Sequence, residues 1–395
     1  MSTHADIQLL SEDRFDRFRR IEWWEQSRLS AARVLVIGAG ALGNEILKNL
    51  ALLGAGNIFV ADLDKVEESN LSRSILYREH DAGRPKAQVA VAAARKIYPP
   101  LRASYCHGDV IFSLGLGVYR WADVVIAGLD NREARLHVNR CCYKVNRPWI
   151  DAATEVLQGI VRTFVPEGPC YECTMTAADW DALKERRGCA GLRREGVPAE
   201  RVSTTPITAS VIGALQCQEA LKLIHGLDGL AGKGAVFNGL FNDFYVFPYQ
   251  YNEECNSHEP FTEVIPLNDS AREYTPRKLL ARAQEKLGKD AVLELTHDLL
   301  LAFECSRCLD KQPVYEPLAL VSEQDATCSR CGEIRRPLST KSIYGNEDFL
   351  DVPFFRLGVP LFDIVAARQG TTTMGFEFAG DAQAVLGELW RKDER

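Results

Sequence analysis

RVLVIGAGALGNEILKNLALLGAGNIFVADLD, residues 33–64, is the stretch from which the fold is read. RVLVI (33–37) is a short β-branched run with the character of a buried strand. GAGALG follows directly. NEILKNLALLG then carries apolar residues at helical spacing until Gly54. NIFVADLD is a second strand that ends in acids. Further on, KAQVAVAAARKIYP (86–99) is alanine-rich and helical, and Pro99 and Pro100 end it. ADVVIAGLDN (122–131) is a third strand whose end reaches polar residues. This alternation predicts an α/β fold, a Rossmann-like, doubly wound parallel sheet.

The 395 residues are too many for one ordinary core, so further domains are expected. Residues 1–30 are charged and aromatic and read as an N-terminal helix or arm. Residues 31–260 form the nucleotide-binding domain, interrupted at 174–206 by a polar, charged, loop-like segment with room for short helices. ITASVIGALQCQEALKLIHG then resumes as a helix ending at Gly226. A boundary near Pro260 leaves residues 261–395 as a smaller α+β domain dominated by two CxxC pairs. The net charge of −7 argues against a nucleic-acid binder that relies on a whole-domain basic field. The first residues lack a signal pattern, and no apolar run is long enough for a membrane span. A reducing cytoplasm is the default expectation. There the twelve cysteines read as metal or catalytic groups rather than disulfides.

Gly38, Gly40 and Gly43 form G-x-G-x-x-G between a strand and a helix. That turn lets backbone N–H groups and the helix N-terminus approach a phosphate. Asp62 ends the next strand, where an acid can accept hydrogen bonds from ribose. NAD and ATP both fit to this point. Asn70, Arg73 and Lys86 follow in SNLSRSILYREHDAGRPKA (69–87), and two cations beside a phosphate loop suit a triphosphate. A dehydrogenase would leave them unexplained. Asp130 sits where ligands bind in open α/β sheets and can hold Mg²⁺; the bland alternative is an N-cap for the helix that follows.

These segments, with GLDNREAR (128–135) and GPCYECT (168–174), resemble the ubiquitin-activating enzyme family and its ThiF-type bacterial relatives. The latter adenylate the sulfur carriers of molybdopterin and thiamine synthesis. The resemblance covers residues 14–258. It implies that Gly38, Gly40 and Gly43 cradle phosphate and that Asp62 holds ribose. It also implies that Asn70, Arg73 and Lys86 contact the phosphates of ATP and that Asp130 binds Mg²⁺. In the family an arginine near the N-terminus reaches into the partner protomer's site. RFDR (14–17) makes Arg14 the first candidate and Arg17 the second, and implies a homodimer. Ser74 departs from the glutamine common there. The expected substrate is the C-terminal glycine of a ubiquitin-like β-grasp protein, with no role for nucleic acid or membrane.

Cys170 and Cys173 match the family's first metal pair. The second pair is usually another CxxC, and here Cys255-x-x-His258 stands in its place, making a Cys₃His zinc site. Independently of any family, Cys305-x-x-Cys308 and Cys328-x-x-Cys331 have zinc-ribbon spacing. Both Zn²⁺ sites are expected to be structural. Cys106, Cys141, Cys142 and Cys217 read as small buried hydrophobes. FRLGVPLFDIVAAR (355–368) resembles segments of the ubiquitin-fold domain that recruits conjugating enzymes; otherwise the domain is a zinc-ribbon platform for dimerisation or stability.

Cys189, in RRGCAGL (186–192), is then the expected nucleophile. It follows the first zinc pair, and Arg186 and Arg187 would favour its thiolate. The leading expectation is activation of a ubiquitin-like protein through a thioester on Cys189. The alternative is a sulfur-carrier adenylyltransferase that stops at the acyl-adenylate. A third reading, a silent scaffold, conflicts with the nearly complete set of nucleotide residues.

Overall fold

The computed structural model describes residues 13–185, 192 and 203–391. The strands β1 (Arg33–Ile37), β2 (Asn57–Asp62), β3 (Arg102–His107), β4 (Val124–Ala127) and β5 (Trp149–Glu155) are parallel. Then β6 (Gln158–Phe164), β7 (Lys233–Asn238) and β8 (Asp243–Pro248) join antiparallel. The order β3-β2-β1-β4-β5-β6-β7-β8 reverses direction between β1 and β4, which opens a crevice above their carboxyl ends.

The helices of this part are α1 (Gln26–Ala31), α2 (Ala41–Leu53), α3 (Lys86–Ile97), α4 (Val110–Ser113), α5 (Leu116–Trp121), α6 (Arg132–Lys144), α7 (Ala177–Glu185) and α8 (Pro206–His225). Alternation along β1 shows how they cover the sheet. Val34 and Val36 pack with α2, α3 and α8 on one face. Leu35 and Ile37 pack with α5 and α6 on the other. A strand covered on both faces has no solvent side, which is why RVLVI is apolar throughout. Gly54, at φ 79°, closes α2 in the left-handed conformation. Thr205 caps α8 through Thr208 N at 3.1 Å, and Pro206 occupies its first turn. Within the loop-like 174–206 segment, α7 is one of the short helices it has room for, and Thr204 bridges to Val156.

The second sheet comprises β9 (Val264–Leu267), β10 (Val292–Glu304), β11 (Lys311–Pro317), β12 (Arg336–Ile343), β13 (Ile364–Gln369) and β14 (Thr372–Phe378). Its order is β11-β10-β13-β14-β9, with β12 also on β10; β14 and β9 run parallel and the other pairs antiparallel. The helix α9 (Pro276–Leu287) buries Leu279, Leu280 and Ala283 against this sheet. α10 (Ala382–Leu386) turns back to the first domain.

The two parts share a core. Phe362, Ile364, Ala382, Leu386 and Leu389 join the face of the first sheet that carries α5 and α6. Gly117 N donates to Phe362 O at 2.9 Å, and a Cβ at Gly117 would overlap that carbonyl, so the contact needs glycine. Leu116 N donates to the buried Asp363 carboxylate at 2.7 Å, and Arg120 pairs with Glu377 at 2.9 Å. Among the described residues no helix is long and apolar enough to cross a membrane.

Candidate active site and metal centres

The glycine turn lies at the mouth of the crevice. Gly38 has φ 90° and abuts Gly128, the residue after β4; a Cβ there would collide with the Gly128 carbonyl. A Cβ on Gly43 would overlap the Gly38 carbonyl, so the turn folds back on itself without clearance. Gly40, which begins α2, faces open space, with no protein atom within 4 Å of a Cβ built on it. The first N–H groups of α2 lack partners within the helix and carry its positive dipole end. Below the turn, buried Asn44 donates to Ala39 O at 2.8 Å and Gly40 O at 2.9 Å, and accepts from Leu76 N at 2.8 Å. The Tyr77 hydroxyl donates to Ala39 O as well. These bonds hold two carbonyls downward and tie the turn to the 70–77 segment.

Around this turn stand the predicted side chains. Asp62, at the end of β2, accepts from Ala39 N at 2.6 Å and Asp64 N at 2.7 Å. Burial pushes its carboxyl above the usual range, and those two N–H groups offset part of the rise. Lys86, at the start of α3, pairs with Asp64 at 2.7 Å. The guanidinium of Arg73, a half-buried residue, donates to Ser69 O at 2.7 Å. Asn70 is buried and caps its own turn, accepting from Glu67 N at 3.1 Å. Asp130 is exposed beyond β4. The cap of α6 is Asn131, which accepts from Ala134 N at 2.8 Å, so the N-cap alternative for Asp130 does not hold.

Arg14 donates to Ile97 O at 3.1 Å and lies over the Tyr98 ring, 5.0 Å from its centre. It therefore rests at the C-terminal end of α3, about 16 Å along the helix from Lys86 at 1.5 Å per residue. Arg17 is exposed. Cys189, Arg186 and Arg187 lie outside the described residues.

Both metal quartets come together. In each, the ligand atoms lie within 4.8 Å of one another. Cys170 Sγ is 3.7 Å from Cys173 Sγ and 3.5 Å from Cys255 Sγ, and His258 Nε2 is 3.4 Å from Cys173 Sγ. A zinc tetrahedron with metal–sulfur bonds of about 2.3 Å has edges of about 3.5–3.8 Å, so these spacings fit the ion. The His258 ring stacks between Tyr143 and Tyr251, at 4.8 and 4.5 Å. Glu172 accepts from Ser257 Oγ at 2.5 Å and pairs with Arg140 at 3.1 Å, joining the two halves of the site. In the second quartet Cys305 and Cys331 approach to 3.6 Å. Backbone N–H groups of Arg330 and Cys331 hold the Cys328 thiol down to about 7. With four protein ligands each, both centres are closed. Cys141, Cys142 and Cys217 are buried as expected, and burial raises their thiols; Cys106 is only half-buried.

Comparison with known proteins decides what this arrangement belongs to. The model of the ThiF family matches residues 10–257. The chain belongs to the ThiF family. It is 31% identical over 233 residues to the SAMP-activating enzyme E1 of Haloferax volcanii, covering 58% of this chain and 81% of that enzyme. It is 32% identical to the sulfur carrier protein ThiS adenylyltransferase of Escherichia coli, over 54% of this chain and 80% of that one. It matches the SUMO-activating enzyme subunit uba-2 of Caenorhabditis elegans at 37% identity, over 46% of this chain but 31% of that subunit. Among solved structures, E. coli MccB with ATP superposes with a TM-score of 0.52 at 21% identity, covering 64% of this chain and 75% of that one, a likeness of fold.

In this ThiF-family chain, Gly38, Gly40, Gly43, Asp62, Lys86 and Asp130 all lie around one crevice. Asn44, Tyr77 and Arg135 were not singled out from the sequence. Asn44 directly follows the third glycine, which is the one local signal that could have marked it.

Proposed function

We propose that this chain uses ATP and Mg²⁺ to adenylate the C-terminal glycine carboxylate of a ubiquitin-like β-grasp protein. It then takes the acyl group onto Cys189 as a thioester for a conjugating enzyme. The observation that carries the reading is the glycine turn with its open side at Gly40, flanked by Asp62, Lys86 and Asp130. The glycines and the start of α2 would hold phosphate, Asp62 ribose, and Asn70, Arg73 and Lys86 the negative charge. Asp130 is exposed and not engaged as a cap, which suits a Mg²⁺ ligand. The substrate carboxylate attacks the α-phosphate and pyrophosphate leaves. The cations reduce repulsion between carboxylate and phosphates and stabilise the charge that develops. The Cys189 thiolate then forms a C–S bond, and AMP departs.

A homodimer supports the chemistry if an arginine from each arm completes the other protomer's site. Arg17 suits that role better than Arg14, whose side chain is engaged on its own Tyr98. The edge strand β8 exposes Phe244, Tyr245 and Val246, an apolar margin that favours protein over small-molecule partners. Zn²⁺ at Cys170, Cys173, Cys255 and His258, and at Cys305, Cys308, Cys328 and Cys331, would be structural. Unpaired cysteines suit a reducing cytoplasm.

The second reading, a sulfur-carrier adenylyltransferase, draws on the likeness to the E. coli ThiS enzyme. Incubation with ATP, Mg²⁺ and candidate ubiquitin-like proteins, followed by non-reducing electrophoresis, separates the two. The thioester reading expects a thiol-sensitive adduct that is lost in Cys189→Ala. Adenylate with no adduct in the wild type supports the sulfur-carrier reading.

A further inference from the structure

A buried charge cluster beneath the crevice has no part in the readings above. Asp151, fully buried on β5, pairs with two arginines: Arg135 Nε at 3.0 Å and Arg162 at 2.6 Å. Burying a second guanidinium against one carboxylate is costly unless its other N–H groups are also met. On Arg135 the N–H groups of Nη2 are met by backbone, whereas the buried Nε of Arg162 meets no hydrogen-bond partner. Arg135 Nη2 donates to Ala152 O at 3.1 Å and to Leu129 O, the carbonyl of the residue just before Asp130. One planar group thus joins the middle of β5 to the segment just beyond β4 and grips the loop that presents the Asp130 carboxylate. Arg162 shares the aspartate but turns elsewhere, its guanidinium lying over the Tyr171 ring at 5.2 Å.

We propose that Arg135, held by Asp151, is a positioning residue that fixes the Leu129–Asp130 loop so that Asp130 meets Mg²⁺ in the geometry ATP requires. This rests on the reading of Asp130 as the Mg²⁺ ligand. A lysine at 135 keeps the charge but has a single nitrogen at its tip. It cannot bond Asp151, Leu129 O and Ala152 O at once in a planar fork. At Arg162 the same change weakens the same buried pair without touching the loop. The two substitutions therefore separate a loop-holding role from general support of the fold.

The test is calorimetric titration of the zinc-loaded full-length protein with ATP, in saturating Mg²⁺ and in EDTA, with thermal melts of each variant. In the wild type Mg²⁺ tightens ATP binding, and in Asp130→Ala that gain disappears. Arg135→Lys loses about tenfold of the gain, the scale typical of residues that orient a metal ligand, while its affinity in EDTA stays at the wild-type value. Arg162→Lys lowers the melting temperature at least as far as Arg135→Lys but keeps the gain. An Arg135→Lys protein that retains the full gain, with Asp130→Ala lacking it, overturns the positioning role alone. An equal loss in both lysine variants reduces Arg135 to a fold-supporting residue and also overturns it. If Asp130→Ala keeps the gain, the Mg²⁺ reading itself falls, and the positioning role with it.

Discussion

Gly40 and Gly43 stand three residues apart in one turn yet meet opposite surroundings. A methyl at 43 collides with the Gly38 carbonyl, whereas a methyl at 40 meets no protein atom. Gly43→Ala is therefore expected to destabilise the fold by about 1–3 kcal/mol, the usual cost of overpacking. Gly40→Ala is expected to leave stability within about 0.5 kcal/mol, as for a surface change, but to weaken ATP binding at least tenfold by filling the phosphate's approach. Denaturant unfolding alongside ATP titration checks both, and wild-type ATP affinity in Gly40→Ala would contradict the phosphate-cradle reading. The glycines, Asp62, Lys86 and Asp130 were legible because each sits at a strand end or helix start that the apolar pattern already marks. Asn44, Tyr77 and Arg135 were not. Their work is to bond carbonyls that only the folded chain brings near them, such as Leu129 O against Arg135.

At the level of elements, the two cysteine centres differ in how openly the sequence displays them. The Cys305–Cys331 ribbon announces itself by spacing alone, since its ligands flank short knuckles between β10, β11 and β12. Cys170 and Cys173 find their partners 85 residues away, and the pairing with Cys255 and His258 is decided by the fold that returns past α6. Both centres are expected to bind zinc, two ions per chain by elemental analysis. Loss of structural zinc removes a large share of local folding energy, so a strong chelator should lower the melting temperature in two separable steps. His258→Cys restores four thiolates and should retain both ions, whereas Cys255→Ser should release one. Retention of two tightly held ions in Cys255→Ser would contradict the assignment. The continuous burial of β1 and the Gly54 and Gly226 stops were plain in the sequence. The short helix α7 falls in the segment where the sequence allowed short helices, though its polar composition marked no bounds for it.

Across the whole molecule, the C-terminal sheet is fused to the nucleotide domain through Phe362, Asp363, Glu377 and the α10 region rather than tethered by a free linker. This union was not readable from the sequence, because its key contact is Gly117 against the Phe362 backbone, and neither residue carries a pattern of its own. The proposed dimer with exchanged arginines makes a prediction at this scale. Arg17→Ala and Lys86→Ala proteins should each be inactive alone. Mixed after dissociation, half the dimers carry one complete site, so about a quarter of wild-type activity should return. No recovery on mixing would place Arg17 outside the partner's site.

The central claim is that the crevice between β1 and β4 activates a carboxylate with ATP, with Asp130 holding Mg²⁺. ATP–pyrophosphate exchange in the presence of a ubiquitin-like protein with a C-terminal glycine measures that step directly, before any thioester forms. The wild type should exchange label, and Asp130→Ala should lose about a hundredfold or more of that rate while remaining folded. Exchange at the wild-type rate in Asp130→Ala would contradict it.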